Sequence, residues 1–207
     1  NPNQPIESCF DIKQLEEFAK KTLAVNCLFV IDEAYHMFGA LSGMELVKKY
    51  ENVVIARTFS KGFGVPSIRL GYLVSNIQNM NVLSKTRFAH ESNSLSNAVA
   101  EHLLDNISMV EKYNLKVVKS REELKNVLET EGISAYGSFG NFLLLDLVSE
   151  EMAKLYVATL HEQKIYIKGP WKGQYSRFVT ITLGPLEVME SFIEITKKFC
   201  KKYKLKR

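Results

Sequence analysis

The sequence predicts an α/β chain followed by a smaller α+β unit. Two continuous apolar runs of strand length, Cys27–Ile31 and Val53–Ala56, alternate with helical stretches. Such runs suit strands buried on both faces of a mostly parallel sheet with flanking helices. Polar residues cluster directly after them, Asp32 behind the first and Thr58, Ser60 and Lys61 behind the second. In open α/β sheets the ligand crevice lies at such carboxyl ends. Near residue 130 the texture changes to shorter elements around a Gly-rich stretch, so we divide the chain into domains 1–130 and 131–207.

The elements follow in order. Asp11 caps a helix, and Gln14 three residues later completes a capping-box pattern. Leu15, Phe18, Ala19 and Leu23 give it an apolar face. The run Cys27–Ile31 is the first strand, with Cys27 in the core. A short helix spans Met44–Tyr50, and Val53–Ala56 and Arg69–Ser75 are the next strands. Ser94–Glu131 reads as helix with a break near Asn106–Ser108. After the Gly-rich 132–140 come a strand at Phe142–Leu145, an amphipathic helix at Glu150–Gln163, and strands at Ile165–Lys168 and Phe178–Leu183. A closing helix spans Pro185–Lys198, with Pro185 suited to its first turn.

Composition narrows the function classes. Of 207 residues, 46% are hydrophobic and 24% charged, which excludes a disordered, collagen-like or coiled-coil chain. No uninterrupted apolar stretch approaches the roughly 18 residues that a membrane span requires. The net charge of +4 comes from residues 197–207, which hold seven basic residues and no acid. The rest of the chain is mildly acidic, so the charge reads as a solvated helix end and not as a nucleic-acid surface. Three widely spaced cysteines and four histidines (His36, His90, His102, His161) show no metal-ligand spacing. No metal site is expected, and the cysteine usage suits a reducing, cytoplasmic setting. The opening Asn1-Pro2-Asn3-Gln4-Pro5 has neither an initiator Met nor a signal segment. The expectation is a chain that begins inside something longer.

Asp32, Tyr35, Thr58, Ser60, Lys61 and Arg69 together offer an acid, a phenol, two hydroxyls, an amine and a guanidinium. Hydroxyls and Arg suit a phosphate. A lysine beside a phosphate is either another phosphate ligand or a nucleophile towards an aldehyde. An acid at a neighbouring strand end suits a protonated ring nitrogen. Imine, phosphate, ring-nitrogen partner and phenol partner are the needs of pyridoxal phosphate. A Ser-Lys dyad hydrolase is the rival, since Ser60 adjoins Lys61, but adjacent side chains on extended backbone point apart.

These motifs resemble the fold-type I pyridoxal-phosphate aminotransferases, in their histidinol-phosphate aminotransferase-like branch. Asn1–Pro5 resembles that family's NPNNPTG, and Ile31–Tyr35 its (V/I)DEAY. Arg57–Gly64 resembles RTxSKxFG, and Arg69–Tyr72 resembles RxGY. Phe142–Leu145 after Asn141, and Ile181–Gly184, resemble the small C-terminal domain. The resemblance implies part of the large cofactor domain in 1–130 and the small domain in 131–207. It implies pyridoxal 5′-phosphate as cofactor and a homodimer, with a small amino donor and a carbonyl acceptor as substrates. Lys61 would form the Schiff base and shuttle the proton, Asp32 would hold the pyridine nitrogen, and Tyr35 would bond the 3′ oxygen. Thr58, Ser60 and Arg69 would hold the phosphate, and Gln4 would reach the 3′ oxygen in place of the usual Asn.

The chain departs from the family at the substrate side. Thr180 stands where an anion-binding Arg is usual, Arg177 lies three residues away on the opposite strand face, and Lys168 replaces a second Arg. We expect weak use of ordinary α-carboxylates, or an anion held by Lys168 and Arg177 after local rearrangement. The leading function is transamination of a keto or phosphorylated carbonyl substrate. Decarboxylation of an amino-acid phosphate and a non-catalytic relict of the fold are the alternatives.

Overall fold

The computed structural model describes residues 1–89 and 91–205. His90, Lys206 and Arg207, the last two being the end of the basic run, lie outside the described residues. The chain divides into two compact units. The first comprises Asn1–Asn3 and Ser8–Lys112, the second Gln4–Glu7 and Tyr113–Arg207.

In the first unit, α1 (Ile12–Ala24) begins with the expected capping box: Asp11 and Gln14 each accept the other's backbone N–H. It buries Leu15 and Ala19 against Ile31, Leu46, Val53 and Ile55. Its far end is tied down by Asn52. That amide donates to the Ala19 carbonyl, the Thr22 hydroxyl and the Cys27 carbonyl at 2.9–3.1 Å. The turn into β1 (Phe29–Asp32) is thereby set.

β1 pairs in parallel with β2 (Val53–Thr58), and β2 pairs antiparallel with β3 (Gly71–Val74). The order β1-β2-β3 leaves β1 at an edge of this sheet. Here the structure corrects two expectations. Cys27 is exposed, ahead of the strand, and β1 is buried on one face only, since Val30 is 56% exposed. An apolar run does not reveal which of its faces is covered. Phe29 and Ile31 face the α1 core, whereas Leu28 and Val30 project from the other side. Among the described residues, α2 (Met44–Lys49) closes the covered face, contributing Leu46. α3 (Ile77–Leu83), capped by Asn76, is a helix that sequence reasoning missed. It buries no side chain, so no periodic apolar face marks it. α4 (Ser94–Asp105) and α5 (Ile107–Thr130) break at Asn106, as expected. The division between units falls inside α5, whereas the sequence-based boundary assigns that whole helix to the first domain.

The second unit is built on the antiparallel sheet β4 (Ser134–Tyr136), β5 (Phe142–Asp146) and β6 (Phe178–Thr182), in that order. β5 is its central strand, and all five of its residues are buried. α6 (Glu150–Glu162) and α7 (Leu186–Tyr203) pack together through Tyr156, whose ring meets Phe192 and Phe199 edge-on. Two details differ from expectation. The segment Ile165–Lys168 forms no strand, and only Lys168 bridges to Thr180. Pro185 is the N-cap of α7, one position before its first turn. β4 was not anticipated because it is three residues long and sits within the Gly-rich stretch. No described helix is long and apolar enough to cross a membrane.

The buried Tyr156 and Thr196 hydroxyls share a 2.6 Å hydrogen bond, and burial pushes the Tyr156 phenol pKa upward. Tyr156→Phe leaves a buried hydroxyl without this partner. We expect a loss of about 1–3 kcal/mol, read in urea unfolding as a lower midpoint at unchanged slope.

Candidate active site

The site residues of the first unit depend on a side chain that carries no chemistry of its own. Glu33 directly follows β1 and is fully buried. Its Oε2 accepts both Nε and Nη2 of Arg57, at 3.0 and 2.8 Å. Its Oε1 accepts the Gly43 N–H at 2.6 Å, and the Ser42 hydroxyl lies 2.9–3.0 Å from both oxygens. Arg57 also donates to the Ser42 hydroxyl. One carboxylate thus joins the end of β1, the end of β2 and the far end of the loop 34–43. Burying a charge is tolerable only with such complete hydrogen bonding.

Tyr35 sits on that loop, 7% exposed. Asp32, one residue before Glu33, points to the opposite side of the strand and is exposed. One of its oxygens accepts the Ala34 N–H at 2.9 Å, which orients the carboxylate. Tyr35 has a raised pKa, first because it is buried and then because Asp32 is negative nearby. It is therefore held as a protonated phenol.

Lys61 is presented by a turn after β2. Phe59 and Phe63 are buried, with ring centroids 4.4 Å apart, and Lys61, the middle residue of the turn between them, is exposed. The Gly64 N–H donates to the Lys61 carbonyl at 2.9 Å and closes the turn. Gly62 is required by contact, since a Cβ there would lie 2.5 Å from the Met37 sulfur on the Tyr35 loop. The two segments are packed against one another, and the Lys61 Nζ lies 5.4 Å from the Tyr35 ring centroid. Thr58 ends β2 and accepts the Ser60 N–H at 3.0 Å. Arg69 adopts left-handed backbone at φ 51° just before β3 and is exposed.

The structure therefore brings Asp32, Tyr35 and Lys61 to one end of β1 and β2, with Thr58 and Ser60 on the same β2 end. An amine beside a neutral phenol, with an oriented carboxylate and hydroxyls, fits the donor set that pyridoxal phosphate needs. Glu33 and Arg57 were overlooked as working residues. An acid pair at the end of one apolar run and an Arg as the first polar residue after the next were the available signal.

The other candidates belong to the second unit. Thr180 is buried on β6, and its hydroxyl accepts the Trp171 indole N–H at 3.0 Å. Lys168 pairs its backbone with Thr180, and its Nζ lies 4.6 Å from the Trp171 ring centroid. Arg177 instead pairs with the buried Asp146 carboxylate at 3.0 Å, and its guanidinium lies over the Phe178 ring. Lys168 and Thr180 are thus brought together, while Arg177 is engaged with Asp146. Gln4 is exposed on the segment 4–7.

Comparison with known proteins agrees with these motifs. The family model "Aminotransferase class I and II" matches residues 1–195. A histidinol-phosphate aminotransferase of Carboxydothermus hydrogenoformans is 33% identical over 188 residues, covering 90% of this chain and 52% of that protein. A dihydroxyacetone phosphate transaminase of Campylobacter jejuni is 30% identical, covering 98% of this chain and 54% of that protein. The chain spans about half the length of these curated relatives. Among solved structures, the histidinol-phosphate aminotransferase of Sinorhizobium meliloti in complex with pyridoxal 5′-phosphate has a TM-score of 0.83. It is 25% identical and is matched over 98% of this chain and 56% of its own.

Removing one partner of the buried pair strands the other. Glu33→Ala is expected to cost about 3–5 kcal/mol in denaturant unfolding. His36, on the same loop, has a lowered pKa, first through burial and then through the Arg57 charge. The folded state then binds fewer protons than the unfolded one, so stability rises with pH and is lost as pH falls below about 6.5. His36→Gln should flatten that slope in unfolding series between about pH 5 and pH 7.

Proposed function

Because the chain belongs to the class I and II aminotransferase family, we propose that the intact protein is a pyridoxal-phosphate-dependent aminotransferase. It moves an amino group between a small amino donor and a keto or phosphorylated carbonyl acceptor. The observation that carries this reading is the meeting of Lys61, Tyr35 and Asp32 at one end of β1 and β2. When bound, pyridoxal phosphate supplies an aldehyde for a lysine and a ring that accepts electrons.

In this reading Lys61 would be the attachment point for that aldehyde and the amine that holds and moves the proton. Asp32, fixed by the Ala34 N–H, keeps a proton on the ring nitrogen. Tyr35, protonated by its burial, would donate to the 3′ oxygen, and Gln4 would be a further donor to it. Thr58, Ser60 and Arg69 hold the phosphate. Lys168 and Thr180, with Arg177 after local rearrangement, would be the candidates to hold a substrate anion. Lys is a point charge and not a fork, which favours a phosphate or a distal anion over an α-carboxylate. Residues 1–130 then act as part of the cofactor domain and 131–207 as the small domain of a cytoplasmic homodimer.

Lys61→Ala in the intact protein should abolish cofactor-derived absorbance and lower turnover by about 10³-fold or more. Product analysis decides the reaction class. Keto acid without carbon dioxide supports transamination, and carbon dioxide without keto acid replaces it with decarboxylation. A wild-type protein without cofactor absorbance overturns the reading in favour of a relict.

A further inference from the structure

Arg69 stands on backbone that an arginine does not adopt readily. It ends the single 3-10 turn Pro66–Ile68 at φ 51° and ψ 42°, in the left-handed region where Gly is the easy residue. A side chain kept at such a position persists when its surroundings over-determine the backbone. Here they act from both sides. The Leu70 carbonyl, after Arg69, accepts the Phe59 N–H at 3.1 Å and the Thr58 hydroxyl at 3.4 Å. Arg69 thereby adjoins the β2 end that carries Thr58 and Ser60. The Ile68 carbonyl, before Arg69, accepts the hydroxyl of Ser96 at 2.9 Å.

Ser96 lies in the first turn of α4 and is 4% exposed. Its own N–H donates to Oδ1 of the N-cap Asn93 at 2.9 Å, so its backbone is fixed where the hydroxyl is needed. Ser96 and Ala100, one helical turn apart, form the buried face of α4. Ile68 packs against the apolar cluster that contains Ala100, Phe59 and Phe63. The hydroxyl is thus a buried polar group aimed at one backbone carbonyl across 28 residues of chain. The angle φ of Arg69 is the rotation between its Cα and the rigid Ile68–Arg69 peptide plane. Ser96 holds the carbonyl of that plane and therefore holds the angle. A net hydrogen bond and the cost of left-handed backbone are of similar size, so losing the bond lets Arg69 relax. The guanidinium stays beside the same turn, where Nη1 donates to the Pro66 carbonyl at 3.2 Å.

We propose that Ser96 is a positioning residue for the cofactor phosphate. It keeps Arg69 in its left-handed conformation and so fixes the guanidinium that meets the phosphate. This rests on the aminotransferase reading above, in which Arg69 is a phosphate ligand. Ser96 acts through Arg69 and touches no reacting group.

The test compares two ligands of the intact protein, stripped of cofactor: pyridoxal 5′-phosphate, and pyridoxal, which lacks the phosphate. Ser96→Ala should weaken binding of pyridoxal 5′-phosphate about fivefold, the scale of one net hydrogen bond, and leave pyridoxal at its wild-type affinity. Arg69→Ala should weaken the phosphorylated ligand by at least as much. The Ser96→Ala/Arg69→Ala double variant should be no weaker than Arg69→Ala alone. Ser96→Thr, which keeps the hydroxyl, should retain more affinity than Ser96→Ala. Should Ser96→Ala not fold, Ser96→Cys, a weak donor of similar size, should show the same selective loss. The inference is overturned if substitution of Ser96 weakens both ligands alike, as a merely structural role would, or leaves pyridoxal 5′-phosphate at wild-type affinity. It also falls if the losses at Ser96 and Arg69 multiply, or if Arg69→Ala binds as the wild type does. If the wild-type protein shows no Lys61-dependent cofactor absorbance, the aminotransferase reading has failed and the inference falls with it.

Discussion

The candidate site hangs on one buried carboxylate. Glu33 is the point where the end of β1, the end of β2 and the loop 34–43 are joined, through Arg57, Ser42 and Gly43. Without it the two strand ends would still be paired by their ladder, but the loop bearing Tyr35 would lose the bonds that tie Ser42 and Gly43 to the strand ends. The strand alternation does the rest. Because Glu33 turns inward, Asp32 turns outward. Because Phe59 and Phe63 are anchored in the core, Lys61 is left projecting between them. A structural pair and two aromatic anchors thus dictate where Asp32, Tyr35 and Lys61 stand. A buried ion pair is a poor source of stability compared with apolar packing, but its geometry is specific.

The second unit uses its charges differently. Arg177 is matched to a buried Asp146, Lys168 rests on an indole ring, and Arg121 serves the turn that cradles Glu7. These three cations are each engaged by a neighbour. At Thr180 the hydroxyl accepts the Trp171 indole N–H. The backbone takes part as well, since the Ser138, Phe139 and Gly140 N–H groups hold the Glu7 carboxylate.

Much of the fold is legible in the chain because its strong elements carry local signals. The capping box at Asp11 and Gln14 and the break at Asn106 depend on bonds within a turn or two. Elements without such signals escaped: α3 buries no side chain, and β4 is three residues long in a Gly-rich stretch. Cys27 and Val30 show the reverse failure. Their apolar surroundings suggest a core, but coverage of a strand face is set by what packs on it, and here α1 and α2 cover the other side.

The motifs Asp32-Glu33-Ala34-Tyr35 and Thr58-Phe59-Ser60-Lys61 determined, by themselves, which chemical groups the protein has and which family it belongs to. Side-chain chemistry and spacing along a strand are properties of the chain. Only the tertiary structure decided that Glu33 works as the clamp and Asp32 as the exposed acid, although both are carboxylates one residue apart. It alone seated Glu7 on amides more than 130 residues away and bound Arg177 to Asp146. The reason is the same in each case: a charge takes its role from the partners and burial that folding brings to it, and those partners are distant in sequence.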